Sequence, residues 1–599
     1  MKLIVPYIGA LTSVDARLIR LAEFLGIGCE PLSLSKSEGQ GWESLGHAVP
    51  GRRSCLVLNP RVIGDWVGED NSSSMSDSSF LSSFSRVLVH APRSEAFDTK
   101  LVASLSHNQL GPVQGIGHAR QDYQISPDSR DVCEAFAGLT FGPANPENDS
   151  VFSVRQREST VRTLISIGGR PFMAAVRRDG GTVLFLASAD ILELTAEIGD
   201  APLPEYFSRF VPHAMALRYM FGEASWRPRE HHASVVIDDP LLRRNYGFLN
   251  FGSLLDSTKK HNFHAAVAFI PHNFGRNSRR TTRLFWENAD RFSLCFHGND
   301  HTGAEFASTD TTLLNTMLQC AERRMSVHRT RTGLDCDRVM VFPQGHFSEE
   351  AMSVLKARNF DAAVNTVPHP RQQALRLQLG ELAQPAVLRY GDFPLFLRKS
   401  SRKIQTYDIA FNLFFGKPIL VVEHHDTFRH PDCLTETVSR INAIAPEIHW
   451  SNVTRVVSNS VSWRRGTDGT CHIRAYSRSV RIANHSNSVE RFRVEWSHAV
   501  PGALVEQVLQ DGRPYLGFEA DGSGPRVSIE MAPGTSQTFS LVHRNSYASL
   551  SGLGFRRNAR AFVRRRLSEV RDNYLGKNPR ILEIAKSLQR RLSGAASVQ

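Results

Sequence analysis

At 599 residues and 66.9 kDa the chain is several times the length of an ordinary domain, which implies a modular protein with more than one core. Hydrophobic residues make up 41% and charged residues 22%, a globular composition that excludes a wholly disordered, collagen-like or disulfide-stapled chain. A net charge of +12 raises anionic partners, but no recognised nucleic-acid-binding motif accompanies it, so nucleic acid is not expected.

The opening MKLIVPY carries one lysine and a short apolar run broken by Pro6, and reads as a first buried strand. With CLVL (55–58) and RVLVH (86–90), separated by helix-length mixed segments, it predicts a parallel α/β sheet in a domain over 1–225. The serine-rich stretch 69–85 reads as a loop. Residues 163–190 read as consecutive strands, with Asp179-Gly180-Gly181 as a hairpin turn. This closing stretch resembles glutamine-amidotransferase-like α/β domains. The Gly-x-Cys-x-Gly elbow needed for that activity is absent, so the domain is read as structural or substrate-positioning. The eight cysteines are scattered with no Cys-x-x-Cys pair, which fits a reducing, cytoplasmic compartment. No stretch approaches the ~20 apolar residues that cross a bilayer.

From 226 to 445, apolar runs end repeatedly in polar, chemistry-bearing residues: ASVVIDDP, HAAVAFIP, FSLCFHGNDH, RVMVFPQGH, FDAAVNT and KPILVVEHHD. Alternating with helical segments, they predict a distorted β/α barrel whose chemistry collects at the C-terminal ends of the strands. Residues 446–545 shift to short alternating patterns punctuated by Asp-Gly and Pro-Gly, the signature of a β-sandwich. Trp450, Trp463 and Trp496 in this region read as core residues before stacking platforms for carbohydrate. Residues 546–599 turn helical, with a second helix starting at Pro579. The fold class is thus multidomain α/β plus β: an α/β domain, a barrel, a sandwich and a basic helical tail.

Asp238 and Asp239 end an apolar strand, where alternation points the two carboxylates in different directions and allows them different tasks. His297 and His301 are four residues apart, a spacing that brings two imidazoles to one face at ligand distance. One carboxylate with both histidines makes an Asp-His-His metal triad that leaves positions open for water and substrate.

With VIDDP, HGNDH, FPQGHFS and VVEHHD in this order, residues 226–445 resemble the polysaccharide deacetylase family, the NodB-homology or carbohydrate esterase 4-type domain. The resemblance covers about 220 residues, and its first two motifs are the specific ones. It implies Asp238 as general base and Asp239, His297 and His301 as ligands of a divalent metal, zinc foremost. Phe342, Pro343, Gln344 and Gly345 form the third motif and are expected at the substrate, with a nearby backbone N–H helping to hold the oxyanion. The family's late histidine, the acid that protonates the departing nitrogen, falls on His424 or His425; strand alternation puts His424 on the face of Val422. This chain lacks the arginine that begins the family's third motif, and Arg338 and Arg398 are its candidate replacements. For the fourth motif, an Asp with an aromatic, Asp392-Phe393 is the loose match.

The expected function is metal-dependent deacetylation of N-acetylated sugars or polysaccharide. The alternatives are hydrolysis of a non-sugar C–N bond, or a non-catalytic carbohydrate-binding role in polysaccharide assembly. The tail holds twelve Lys and Arg against three Asp and Glu, +9 of the chain's +12, so the rest is nearly neutral. With Phe562, Leu567, Val570 and Leu575 as an apolar stripe, the tail reads as a solvated or domain-packed helix, or as a peripheral contact with an anionic membrane.

Overall fold

The computed structural model describes residues 1–34, 54–67, 84–155, 161–178, 181–199, 201–371, 373, 376–497, 505–521 and 524–575. Most of the serine-rich stretch, Asp179 and Gly180 of the hairpin, and the helix expected from Pro579 lie outside them. The architecture is mixed α/β plus β, in three main sheet systems.

The first system is a nine-stranded sheet that opens parallel, with Leu3–Tyr7 between Cys29–Ser33 and Cys55–Leu58, and continues through Arg86–Val89 to Gly181–Leu186. Beyond that strand it turns antiparallel, where Gly181–Leu186 pairs with Arg170–Arg178 as the hairpin reading requires. Its core continues into the central domain through Ala410, Phe411, Phe414 and Phe415, with the Phe210 and Phe415 rings stacked at 5.2 Å. The Asp15–His90 pair of this domain is fully buried, 3.0 Å apart, and closed to any substrate.

The central domain is a parallel sheet that curls into a nearly closed barrel. Its strands in chain order are β1 (His232–Asp238), β2 (Ala265–Phe269), β3 (Phe292–His297), β4 (Asp337–Val341), β5 (Ala362–Asn365), β6 (Leu395–Leu397), β7 (Lys399–Ser400) and β8 (Ile419–His424). In space they run β6-β5-β4-β3-β2-β1-β8-β7. The two edge strands are therefore consecutive in sequence, and a single residue, Arg398, joins them. Strand alternation divides the apolar residues into two sets. Val235, Ile237 and Val267 pack among the surrounding helices, including α1 (Thr311–Thr332). Val236, Ala266, Ala268, Cys295, Val341 and Val364 face the opposite way, packed with Val453, Val456 and Val457 of a short helix. That helix caps the N-terminal strand ends, where the Val453 N–H donates to Asp337 at 3.0 Å. The chemistry is left to the other end.

The third system is a sandwich of six- and four-stranded sheets around Ile473, Val480, Val494, Val527, Phe539 and Leu541. Trp496 is buried in that core, Trp463 packs at its margin, and Trp450 packs on Phe263 with its indole N–H donating to Asn442. All three pack against hydrophobic cores, as the core reading expects, with Trp450 and Trp463 only partly buried. The tail helix α2 (Phe555–Val570), followed by one π-helical turn (Arg571–Leu575), lies back across the C-terminal end of the barrel. All eight cysteines are unpaired. Among the described residues no helix is long and apolar enough to cross a membrane.

Candidate active site

β1 is buried along its whole length and delivers Asp238 at its C-terminal end, on the same face as Val236. Asp239 follows with φ 77°, a left-handed conformation uncommon for a non-glycine residue, and this turns the second carboxylate away from the first.

Asp238 is held by a bidentate fork: Arg398 Nη1 donates to Oδ1 at 2.7 Å and Nη2 to Oδ2 at 2.6 Å, both side chains about 95% buried. Burial pushes this carboxyl up, and the Arg398 guanidinium and the His297 ring outweigh it, so Asp238 stays below the usual carboxylate range. Of the two replacement arginines, Arg398 faces the site. Arg338 instead pairs with Glu322 at 2.6 Å and the Asn359 carbonyl at 3.0 Å. Arg398→Met is expected to raise the Asp238 pKa; in the general-base role that the resemblance implies for Asp238, which needs the ionised form, the acid limb of the kcat/KM profile should move up by at least about one pH unit. A pH–rate profile checks this.

His297 ends β3, and its Nδ1–H donates to the Val341 carbonyl at 3.0 Å. That bond fixes the ring and turns Nε2 to within 3.4 Å of Asp239 Oδ1. His301 Nε2 lies 3.3 Å from the same oxygen. Asp239 Oδ1 is buried and accepts no hydrogen bond. One ligand atom from each of the three residues lies within 4.8 Å of the other two, the convergence a divalent cation requires. Burial lowers His301 to a pKa of about 4, which keeps it neutral and able to ligate. The donor set, one carboxylate and two imidazoles, fits a borderline metal such as zinc.

The turn between the two histidines is organised by a residue without a motif signal, the buried Glu305. Its carboxylate accepts the N–H groups of Asn299, Asp300 and His301 at 2.9, 3.2 and 3.0 Å. Arg324 of α1 donates to Asn299 Oδ1 at 2.6 Å and secures the turn from outside. Gly298, at φ 64°, admits no side chain, since a Cβ would overlap Glu305 Oε1 and Pro343 Cγ. Gly298→Ala is expected to displace His301 and weaken metal retention by at least about tenfold, read by titration with a competing chelator.

The third motif divides. Phe342, expected at the substrate, is corrected to a core residue: it is fully buried and stacked on Phe347 at 5.1 Å. Pro343 is buried and packs over Gly298. Gln344 (φ 59°, exposed) and Gly345 (φ 71°) turn outward. The Gly345 and His346 N–H groups donate to Phe342 and Pro343 carbonyls within this turn, so neither is free to hold an oxyanion. The loose fourth motif does not reach the site either, since Phe393 is core and Asp392 lies exposed near Lys356.

The two late histidines part company. His424 pairs in register with Asp238, and its Nε2 lies 3.8 Å from Asp238 Oδ2 with the side chain 56% exposed. His425 points into the tail, edge-on to Tyr246 at 5.3 Å, with Nε2 3.6 Å from Asp572.

The tail contributes more than packing. Arg557 approaches Asp300 at 3.3 Å and Glu305 at 3.8 Å. Arg565 is buried, and its charge bears on Asp239 and His301. Glu569 pairs with Arg243 and Arg276, Asp572 accepts from Tyr246 at 2.7 Å, and Asn573 accepts the Gly247 N–H at 2.8 Å. Beside His301 a cleft of about 450 Å³ opens between Thr302–Glu305, Ser308 and Leu313 on one wall and Arg556, Arg557 and Arg560 on the other.

No family model matches the sequence, and no curated protein matches it. Among solved structures the chain is similar to the carbohydrate deacetylase Agd3, at 10% identity over 90% of this chain and 98% of that one, TM-score 0.46. It is also similar to a family 4 carbohydrate esterase from Streptomyces lividans, at 11% identity over 38% of this chain and 94% of that one, TM-score 0.23. A third is the catalytic domain of a peptidoglycan N-acetylglucosamine deacetylase from Eubacterium rectale, at 13% identity over 38% and 91%, TM-score 0.23. At these identities, what the chain does rests on the geometry of its own site.

Proposed function

We propose that the chain is a metal-dependent hydrolase that removes acetyl groups from N-acetylated sugars or polysaccharide. The carrying observation is the division of labour at one strand end. Asp239 converges with His297 and His301, while the adjacent Asp238 is held ionised by Arg398 and faces His424.

A divalent ion held by Asp239, His297 and His301, zinc being the first candidate, would supply Lewis-acid polarisation of the amide carbonyl and a more acidic water. The residues do the rest. Asp238 accepts the proton of the attacking water, its lone pairs oriented by the Arg398 fork. His424, on the other side of the same carboxylate, donates a proton to the departing amine, and its exposure matches a group that must meet the leaving nitrogen. His425 is assigned to holding the tail rather than to proton transfer. The Arg-lined cleft has room for a sugar residue beside His301. Gln344 and Gly345, which turn outward, are the third-motif residues left for substrate contact.

The test joins metal analysis of the purified protein to acetate release from N-acetylated oligosaccharides, beside a panel of small non-sugar amides. Bound metal and acetate from the oligosaccharides are expected. Turnover of the small amides alone would move the assignment to another C–N bond, and a metal-free active protein would overturn it.

A further inference from the structure

Amphipathic helices of globular proteins turn the apolar stripe to the core. Helix α2 does the reverse. The side chains it buries against the barrel are Ala561, Arg565 and Glu569, seated among Arg243, Arg276 and the turn at Asp300. Its apolar side chains face outward: Phe555, Phe562, Val563, Leu567 and Val570, continued by Tyr574, are 47% to 87% exposed. These are six of the thirteen exposed large apolar side chains among the described residues, gathered in one short segment. At 100° per residue the five on α2 occupy an arc of about 140°, so they form one stripe and not a scatter.

Charge selects what can cover that stripe. The one acidic residue of α2, Glu569, is turned inward to Arg243 and Arg276, whereas Arg556, Arg560 and Arg566 are exposed on the outer side. A second copy of the same face would set arginines against arginines in an apolar contact. Anionic headgroups would neutralise them while the acyl boundary takes the phenylalanines and leucine. We propose that α2 docks this protein on an anionic lipid bilayer through its outer face, its inner face remaining on the catalytic end of the barrel. Docking would hold the cleft beside His301 at the lipid surface, because Arg556 and Arg560 belong to both.

The experiment is co-sedimentation of the full chain with vesicles of pure phosphatidylcholine and of phosphatidylcholine mixed equally with phosphatidylglycerol. Binding is expected to the mixed vesicles only, and to weaken as salt rises. The double variant Phe562→Asp/Leu567→Asp, which alters exposed positions, is expected to bind at least about tenfold less. Arg556→Gln/Arg560→Gln should weaken binding and flatten its salt dependence. Circular dichroism on each variant establishes that the fold is retained. The proposal is overturned if the wild type ignores anionic vesicles, or if Phe562→Asp/Leu567→Asp binds as the wild type does. It is equally overturned if the wild type self-associates through this face, dissociates in that variant and does not bind lipid. Binding is read without turnover, so the outcome does not depend on the deacetylase assignment.

Discussion

Asp238→Asn is expected to leave the metal in place while lowering kcat by about 10²- to 10⁴-fold, the usual contribution of a general base. The amide fills the same volume but takes no proton, and Asp239, His297 and His301 are untouched. The same change removes the charge facing Arg398, whose guanidinium is about 95% buried. An uncompensated buried cation costs about 3–5 kcal/mol, so the variant should also unfold at lower denaturant. Adding Arg398→Met should recover much of that stability and none of the activity. Metal content, single-substrate kinetics and urea denaturation of the two variants separate these effects. A single variant that kept full turnover would remove Asp238 from the chemistry.

Asp239→Ala is expected to fail one step earlier, at metal retention. Asp239 Oδ1 is the atom to which both Nε2 nitrogens converge, at 3.4 and 3.3 Å, and two imidazoles alone make a far weaker site. Metal affinity should fall by more than about 100-fold and acetate release by at least about 10³-fold. Excess metal in the assay should restore part of the activity of Asp239→Ala and none of that lost in Asp238→Asn. Equilibrium dialysis against the metal, followed by the same acetate assay, reads both. If Asp239→Ala purified with an undiminished metal content, the ligand assignment would be wrong.

The barrel strands and the spacing of the two histidines were legible because they obey local rules: continuous apolar runs that end in polar residues, and two imidazoles four positions apart. Other parts answer to no local rule. Arg398 has no motif around it and reaches Asp238 only because the two barrel edges meet at that residue, so the sequence left it level with Arg338. Glu305 carries no periodic signal and organises its turn through three backbone N–H groups, which are invisible to residue patterning. Phe342 looked like part of a motif, yet its bulk is spent on Phe347. The tail reads in sequence as solvated, domain-packed or membrane-touching, and it packs on the barrel through an ionic face, an orientation that the apolar stripe by itself does not give. Leu575, read as part of that stripe, has a side chain outside the described set.

The joining of β6 to β7 through one residue bears on how activity can be lost without touching the catalytic groups. These edge strands are only three and two residues long, and pairs so short belong to the part of a fold that opens most readily. Each opening would withdraw the Arg398 guanidinium from Asp238, so transient fraying of the seam would be felt as a less acidic base. The rate of amide exchange at Leu397 and Lys399 and the acid limb of the proposed turnover should therefore move together across variants of this seam, and the barrel's own breathing would set how acidic a medium the proposed hydrolase can work in.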